Sequence, residues 1–455
     1  MMADGISYSV KRVWIKNFKS VMDLELDLMP GINLLVGPNG SGKTNILEAI
    51  YFLYKTLVEE AGKTPYMPHT PKYWSPEDLV YLRDPSTNIC LGIEIVFRDN
   101  KADKTILDLK VMVTYSVLGE TITPIKYDLS FNDLTFIEVS LDRIEIKIHK
   151  ELYEEINGNK VISSKYVLKD DFYVLEKPWE HPISPPLFLN TVAAGTRLRI
   201  LGEKIVLEEF MPHLDKTPFI DYVIKLYKRI HGLRLWRDIP VGITGVYRFL
   251  TRELLNKILF LRHPDIGALR EPKPITGESR LNERATNLAP VLLALIGRRG
   301  GWPERISYML SQLFPGLKFR LDTKFSRTVL VAEENGLPLP PSNIPDGAIK
   351  LLSILTAIEL EPSILLIDEI ENSLHARMLE YIVDELNNLH QPVIVATHSP
   401  IVVDLVGLDR ILIVRKEPNR GTIVERISDP VKLSNELKEL GIALSDYIFY
   451  RKTYV

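Results

Sequence analysis

Eight consecutive residues, Gly37, Pro38, Asn39, Gly40, Ser41, Gly42, Lys43 and Thr44, carry the spacing G-x-x-x-x-G-K-[ST]. In that spacing successive backbone N–H groups curl around phosphate oxygens, the ammonium reaches the β- and γ-phosphates, and the threonine hydroxyl is offered to Mg²⁺. All eight are therefore candidate ligands of a nucleoside triphosphate. Thr44 doubles as a metal ligand and Lys43 as a catalytic group. The loop needs a strand before it and a helix after it. The apolar run Ile32–Val36 and the helical pattern Asn45–Leu53 supply both, which a surface glycine turn would lack.

A second group of chemically capable residues lies far downstream. Ser363-Ile364-Leu365-Leu366-Ile367 reads as a buried strand that ends in Asp368-Glu369, and Pro392–Thr397 reads as another that ends in His398-Ser399-Pro400. Parallel strands deliver ligands at their carboxyl ends, where nucleotides sit in open α/β sheets. Asp368 could then hold Mg²⁺ through water, Glu369 could polarise an attacking water, and His398 would stand beside them. Two acids could also simply favour a helix N-terminus, and a single histidine is usually structural. Their order after the phosphate loop favours the catalytic reading.

Composition sets the frame. At 455 residues with 45% apolar content the chain can bury a substantial core and should form two or three lobes. Its one cysteine, Cys90, excludes an intrachain disulfide framework and a thiolate zinc cluster, and suits a reducing interior as a small apolar residue. The first residues contain no apolar signal core, and the longest clean apolar run, near Ala289 to Ile296, is far short of the roughly 20 residues a bilayer needs. A cytoplasmic protein without a membrane partner is expected. Net charge is −3, yet residues 221–300 hold fifteen Lys/Arg against seven Asp/Glu, a local +8 that leaves −11 for the rest. Such asymmetry can mark a nucleic-acid surface, and Lys225, Lys228, Arg229, Arg234 and Arg237 fall at near-helical spacing beside Tyr227 and Trp236. A solvated face would look the same.

The periodicity divides the chain three ways. Residues 1–175 read as an N-terminal lobe: a short antiparallel pair (Val13–Ile15 with Leu24, Leu26 and Leu28), the loop strand and helix, a proline-bearing loop at 64–86, then alternation from Leu91 to about Leu175 with a turn at Asn157-Gly158. Residues 176–313 begin with a proline-rich connector and continue as a mostly helical, basic insertion. Residues 314–455 open on a hairpin-like return of Leu317–Leu321 and Val329–Ala332 with a turn at Asn335-Gly336, then alternate helix and strand. The fold class is α/β, a mixed sheet plus an antiparallel β layer.

At this point the sequence resembles the ABC-type P-loop ATPases, in the RecF/SMC-like branch that includes the ATPase part of OLD (overcoming lysogenization defect) proteins. Ile15-Lys16-Asn17-Phe18-Lys19-Ser20 resembles that branch's opening strand, Asn287-Leu288-Ala289 its N-L-A segment, and residues 365–379 with 393–400 its Walker B, D-loop and switch-histidine blocks. The match covers roughly residues 10–60 and 285–415. The resemblance implies ATP with Mg²⁺ as cofactors and a homodimer that sandwiches ATP between the phosphate loop of one head and a signature helix of the other. Here Asp346 and Gly347 hold the signature position, where backbone N–H groups at a helix N-terminus can approach a γ-phosphate.

Three departures refine the expectation. Pro345 replaces the family's usual serine before the signature glycine, and no glutamine precedes Gln312, so the usual Q-loop ligand is absent and slow hydrolysis is expected. Only 57 residues follow His398, too few for a TOPRIM nuclease domain, so no nuclease activity is expected. A heptad run long enough for an SMC coiled coil is also lacking. Two functions fit: a DNA-associated ATPase switch, or a regulatory or defence ATPase that controls a separately encoded effector protein. A transporter cassette fits poorly, because those are compact. Lys43→Ala is expected to abolish ATP binding or nearly so, read by titration with a fluorescent ATP analogue.

Overall fold

A computed structural model gives the fold for residues 6–59, 75–100, 103–119, 121–140, 143–151, 167–178 and 254–450. The basic cluster from Lys225 to Arg237, the Asn157-Gly158 turn and most of the connector lie outside these residues. The strands in chain order are β1 (Ile6–Phe18), β2 (Val21–Asp27), β3 (Gly31–Val36), β4 (Ile89–Asp99), β5 (Lys104–Leu118), β6 (Thr121–Phe131), β7 (Thr135–Ser140), β8 (Arg143–His149), β9 (Val167–Lys169) and β10 (Phe172–Pro178). They continue as β11 (Ile258–Arg262), β12 (Lys273–Pro274), β13 (Leu317–Lys324), β14 (Arg327–Glu334), β15 (Leu337–Leu339), β16 (Ile364–Asp368), β17 (Pro392–Thr397), β18 (Ile411–Glu417) and β19 (Gly421–Arg426).

The chain divides into two compact units. One combines Met1–Asp27 with Phe52–Asn256. Its strands run in the order β2-β1-β4-β5-β6-β7-β8-β10-β9, and every neighbouring pair is antiparallel. Alternation decides which face is buried: Val13, Ile15, Ile93, Ile95, Val111 and Val113 lie in the core, and Trp14 and Lys110 stand on the other face only partly covered. A buried pair of hydroxyls, Thr56 Oγ1 and Tyr115 Oη, satisfy each other at 2.7 Å. This is the antiparallel layer that alternation predicts.

The other unit combines Leu28–Tyr51 with Lys257–Val455. Its sheet runs β11-β16-β17-β3-β18-β19, parallel through β18 and closed by the antiparallel hairpin partner β19. β3, β16 and β17 are buried at every position, as expected for parallel strands covered on both faces. The loop after β3 opens α1 (Lys43–Tyr54), and the remaining principal helices are α2 (Leu288–Arg299), α3 (Glu304–Leu313), α4 (Asp346–Glu359) and α5 (Ala376–Asn387). All of α4 except Asp346 and Gly347 is buried, so it is apolar nearly all round. Leu351, Leu352 and Leu355 of α4 share one core with Leu34 and Val36, Leu365 and Ile367, Val393 and Val395, and Leu292 of α2. Burying such a core stabilises the unit by roughly 1.5–3 kcal/mol per large aliphatic side chain.

Two expectations from periodicity differ from the fold. Ile258–Arg262, read as part of the helical insertion, is a strand that pairs in parallel with β16. Its run Ile-Leu-Phe-Leu is buried on both faces and so lacks the alternation by which a strand is recognised. The turn of the β13–β14 hairpin falls at Phe325-Ser326, and Asn335-Gly336 instead turns β14 into the short β15. Asn-Gly is the strongest short-range hairpin signal, which is why it drew the assignment away from a Phe-Ser turn.

Candidate functional site

The register of the parallel strands builds the site. Val36 pairs with Thr397, Ala396 with Asp368, and Asp368 with Arg262. The four strands therefore finish level, and the residues that follow them, Gly37, His398, Glu369 and His263, leave the sheet along one edge.

The loop after β3 is tight. Gly37 has no room for a Cβ, which would stand 2.1 Å from the carbonyl oxygen of Val414, and Gly42 holds φ at +106°. Lys43 Nζ curls over the loop and donates to the carbonyls of Gly37 at 2.7 Å and Pro38 at 3.1 Å. Burial lowers the Lys43 pKa, against the pull of Asp368, Glu371 and Glu369. Ser41 is buried and its Oγ has no hydrogen-bond partner, so a polar atom is held unsatisfied inside the loop. A phosphate cradle accounts for each of these features. Pro38, Asn39 and Gly40 complete the loop.

Across from it, Thr44 Oγ1 donates to Asp368 Oδ2 at 3.0 Å, joining residues 324 positions apart. Asp368 is 5% exposed, and burial raises its pKa while the Thr44 bond and Arg262 oppose the shift. Arg262 is itself held by Glu48 of α1. A hydroxyl and a carboxylate side by side are the hard oxygen donors Mg²⁺ takes from proteins, with water and phosphate completing its shell. Among the described residues no cluster of three or more His, Cys, Asp or Glu could cage a metal alone, which matches that open arrangement.

Glu369 has φ +50°, a conformation uncommon outside glycine. Its carbonyl accepts from Lys350 Nζ at 3.0 Å; its Oε2 accepts from Asn372 Nδ2 at 2.6 Å and lies 3.5 Å from His263 Nδ1. The His398 backbone N donates to Glu371 Oε1 at 3.0 Å, and the ring Nδ1 stands 3.3 Å from the same oxygen. Thr397 Oγ1 donates to Glu371 Oε2 at 2.8 Å, so this carboxylate clamps the whole end of β17. Asp346 and Gly347, at the start of α4, meet other partners: Arg270 Nη2 donates to Asp346 Oδ1 at 2.6 Å, and a Cβ on Gly347 would stand 2.9 Å from the Ser373 carbonyl.

The residues not singled out in the sequence are thus Arg262, His263, Lys350, Glu371 and Asn372. Glu371 and Asn372 lie inside the block 365–379, two and three residues past Glu369, and a turn after a strand is where such side chains fold back. His263 follows the strand that periodicity missed. Lys350 sits in an apolar helix, where a lone lysine is a signal that its charge has a partner.

Two family models match the chain: "AAA ATPase domain" over residues 9–189 and "AAA domain, putative AbiEii toxin, Type IV TA system" over residues 225–404. Curated relatives include the DNA replication and repair protein RecF of Erwinia tasmaniensis, 56% identical over 45 residues, and that of Lactococcus lactis subsp. cremoris, 51% identical over 47 residues. Each match takes 10% of this chain, and the chain spans only 12% and 13% of those two relatives. Solved structures with similar topology include the Smc head bound to the C-terminal winged-helix domain of ScpA, with TM-score 0.45, 15% identity, and coverage of 94% of this chain and 99% of that one. The SMC head domain from Thermotoga maritima gives TM-score 0.40 and 14% identity, covering 92% and 100%. The strand-end arrangement and the two family matches define the class: this is a RecF/SMC-like ABC-type ATPase domain. Among the described residues no helix is long and apolar enough to cross a membrane.

Two outcomes follow from this geometry. Glu371→Ala should free the end of β17 and lower ATP turnover about tenfold or more with little change in nucleotide affinity, by steady-state kinetics beside a binding titration. Burial pushes the Lys350 pKa down to about 8 from its ordinary 10.5. Its charged form is disfavoured in the fold, a cost fully present below pH 8 and relieved as pH rises from about 8 towards 10.5. Over that window the wild type should gain stability relative to Lys350→Met in urea titrations.

Proposed function

We propose that this chain hydrolyses ATP at the strand-end site and uses the nucleotide state to switch a homodimer that works on DNA. The observation that carries the proposal is the Thr44–Asp368 hydrogen bond, which brings the phosphate loop and the acidic strand end onto adjacent oxygens. In this reading the backbone of Gly37 to Thr44 cradles the phosphates, and Lys43 leaves its carbonyl partners to meet the β- and γ-phosphates. Thr44 and Asp368 hold Mg²⁺, which when bound neutralises charge on the phosphate oxygens. Glu369 accepts a proton from the attacking water, with Asn372 holding one of its oxygens so that the other faces the nucleophile. His398, clamped by Glu371, supplies a donor beside the γ-phosphate. Asp346 and Gly347 serve the partner's nucleotide from the N-terminus of α4.

The DNA part of the reading is supported by the +8 balance of residues 221–300 and by the name of the RecF relatives, "DNA replication and repair protein". The description of the second matching family, a putative toxin of a type IV toxin–antitoxin system, favours the alternative in which the ATPase governs a separately encoded effector. Copurification of an untagged effector with a head that ignores DNA would decide for the alternative.

Glu369→Gln tests the chemistry. The variant should bind ATP with unchanged affinity, lose turnover by about 100-fold or more, and accumulate as a dimer with ATP in light scattering. Normal hydrolysis by this variant would remove Glu369 from the role of base.

A further inference from the structure

The hairpin of β13 and β14 turns on Phe325 and Ser326, both with positive φ, +49° and +57°. That is the backbone of a tight hairpin turn whose preferred residues are Asn-Gly, and a bulky aromatic side chain is a poor choice for it. Phe325 gains nothing from burial in return, because it is 87% exposed. Local structure therefore does not account for the phenylalanine. A strained, solvent-facing aromatic residue at the tip of a rigid element points to a role in contact with another molecule.

The surroundings say which kind of molecule. By alternation β13 sets Lys318, Arg320, Asp322 and Lys324 on one exposed face, and Arg327 stands opposite Lys324. Residues 318–327 thus carry four cationic side chains against one carboxylate, with Glu333 opposite Lys318 at the far end from the tip. Among the described residues Lys318, Arg320 and Lys324 have no carboxylate within ion-pair distance, whereas most cations of this unit are paired. Lys324 Nζ lies 5.3 Å from the centre of the Phe325 ring. The tip is also fixed in place: Arg327 Nη2 donates to the Pro272 carbonyl at 2.7 Å, and Ile275 N donates to the Ser326 carbonyl at 2.9 Å. A row of unpaired cations spaced along an extended strand, ending in an exposed ring, has the chemistry of a single-strand platform: cations track the phosphates and the ring stacks on a base.

We infer that the β13–β14 hairpin is a single-stranded DNA contact, with Phe325 stacking on an exposed base and Lys318, Arg320 and Lys324 on the backbone phosphates. The inference rests on the DNA-associated reading above and assigns that function a surface. It also separates stacking from charge, because the two act through different residues.

The test uses the full chain and fluorescein-labelled oligo-dT, with binding followed by fluorescence anisotropy across a salt series. Phe325→Asn with Ser326→Gly places preferred residues in the turn, so it should fold at least as stably as the wild type, yet lose affinity roughly 5- to 100-fold with an unchanged salt slope. Arg320→Glu with Lys324→Glu should lower affinity and flatten the slope of log affinity on log salt by about two. Both variants should hydrolyse ATP at the wild-type rate without DNA. If the wild type binds oligo-dT and both variants bind it equally well, the hairpin assignment is overturned and the DNA-associated reading stands. If only the charge pair matters, Phe325 does not stack and the platform is wrong. If the wild type binds no DNA even at low salt, both fail together.

Discussion

The site depends on one constraint, the level finish of four parallel strands. A shift of a single residue in the pairing of β16 with β17 would turn Asp368 to the opposite face of the sheet and break its contact with Thr44. The apolar side chains that alternate along β3, β16 and β17 hold that register, because slipping would also move Ile367 and Val395 out of the core. Hydrophobic packing thus fixes the position of polar groups that could not fix themselves. An aspartate 5% exposed is costly to keep charged, and Thr44 and Arg262 are what make it tolerable there.

Around that centre the polar groups are arranged in two tiers. Those facing the open edge, Lys43, Thr44, Asp368, Glu369 and His398, can reach a ligand. Behind them Glu371, Asn372, His263 and Lys350 hold the end of β17, the Glu369 carboxylate and the Glu369 backbone in place. Glu371 engages two consecutive residues of β17, so it orients the histidine by fixing the backbone as well as the ring. Lys350 carries a positive charge into an apolar helix and spends it on a carbonyl whose residue has an unusual φ.

Much of this could be read from residues alone, for identifiable reasons. The phosphate loop is legible because its spacing is a direct consequence of phosphate geometry, and the two buried strands because their apolar runs end in charge. The holding residues are harder to see, since a turn folds them back through angles that no periodicity records. β11 was hidden because a strand buried on both faces has no alternation, and with it went His263 and Arg262. The Phe325-Ser326 turn was hidden for the opposite reason, as its residues argue against the conformation they adopt. Pro345 and the absence of an early glutamine remain the features that set this chain apart from a fast ATPase, and both bear on the half of the site expected from a partner.

The central claim is that Thr44 and Asp368 hold Mg²⁺ for a nucleotide bound on the loop. Calorimetric titration of ATP with Mg²⁺ and with EDTA, for wild type and Asp368→Asn, tests it most directly. The account predicts that wild-type affinity falls when Mg²⁺ is removed, and that Asp368→Asn binds ATP with no such dependence. An unaltered Mg²⁺ dependence in Asp368→Asn would contradict it.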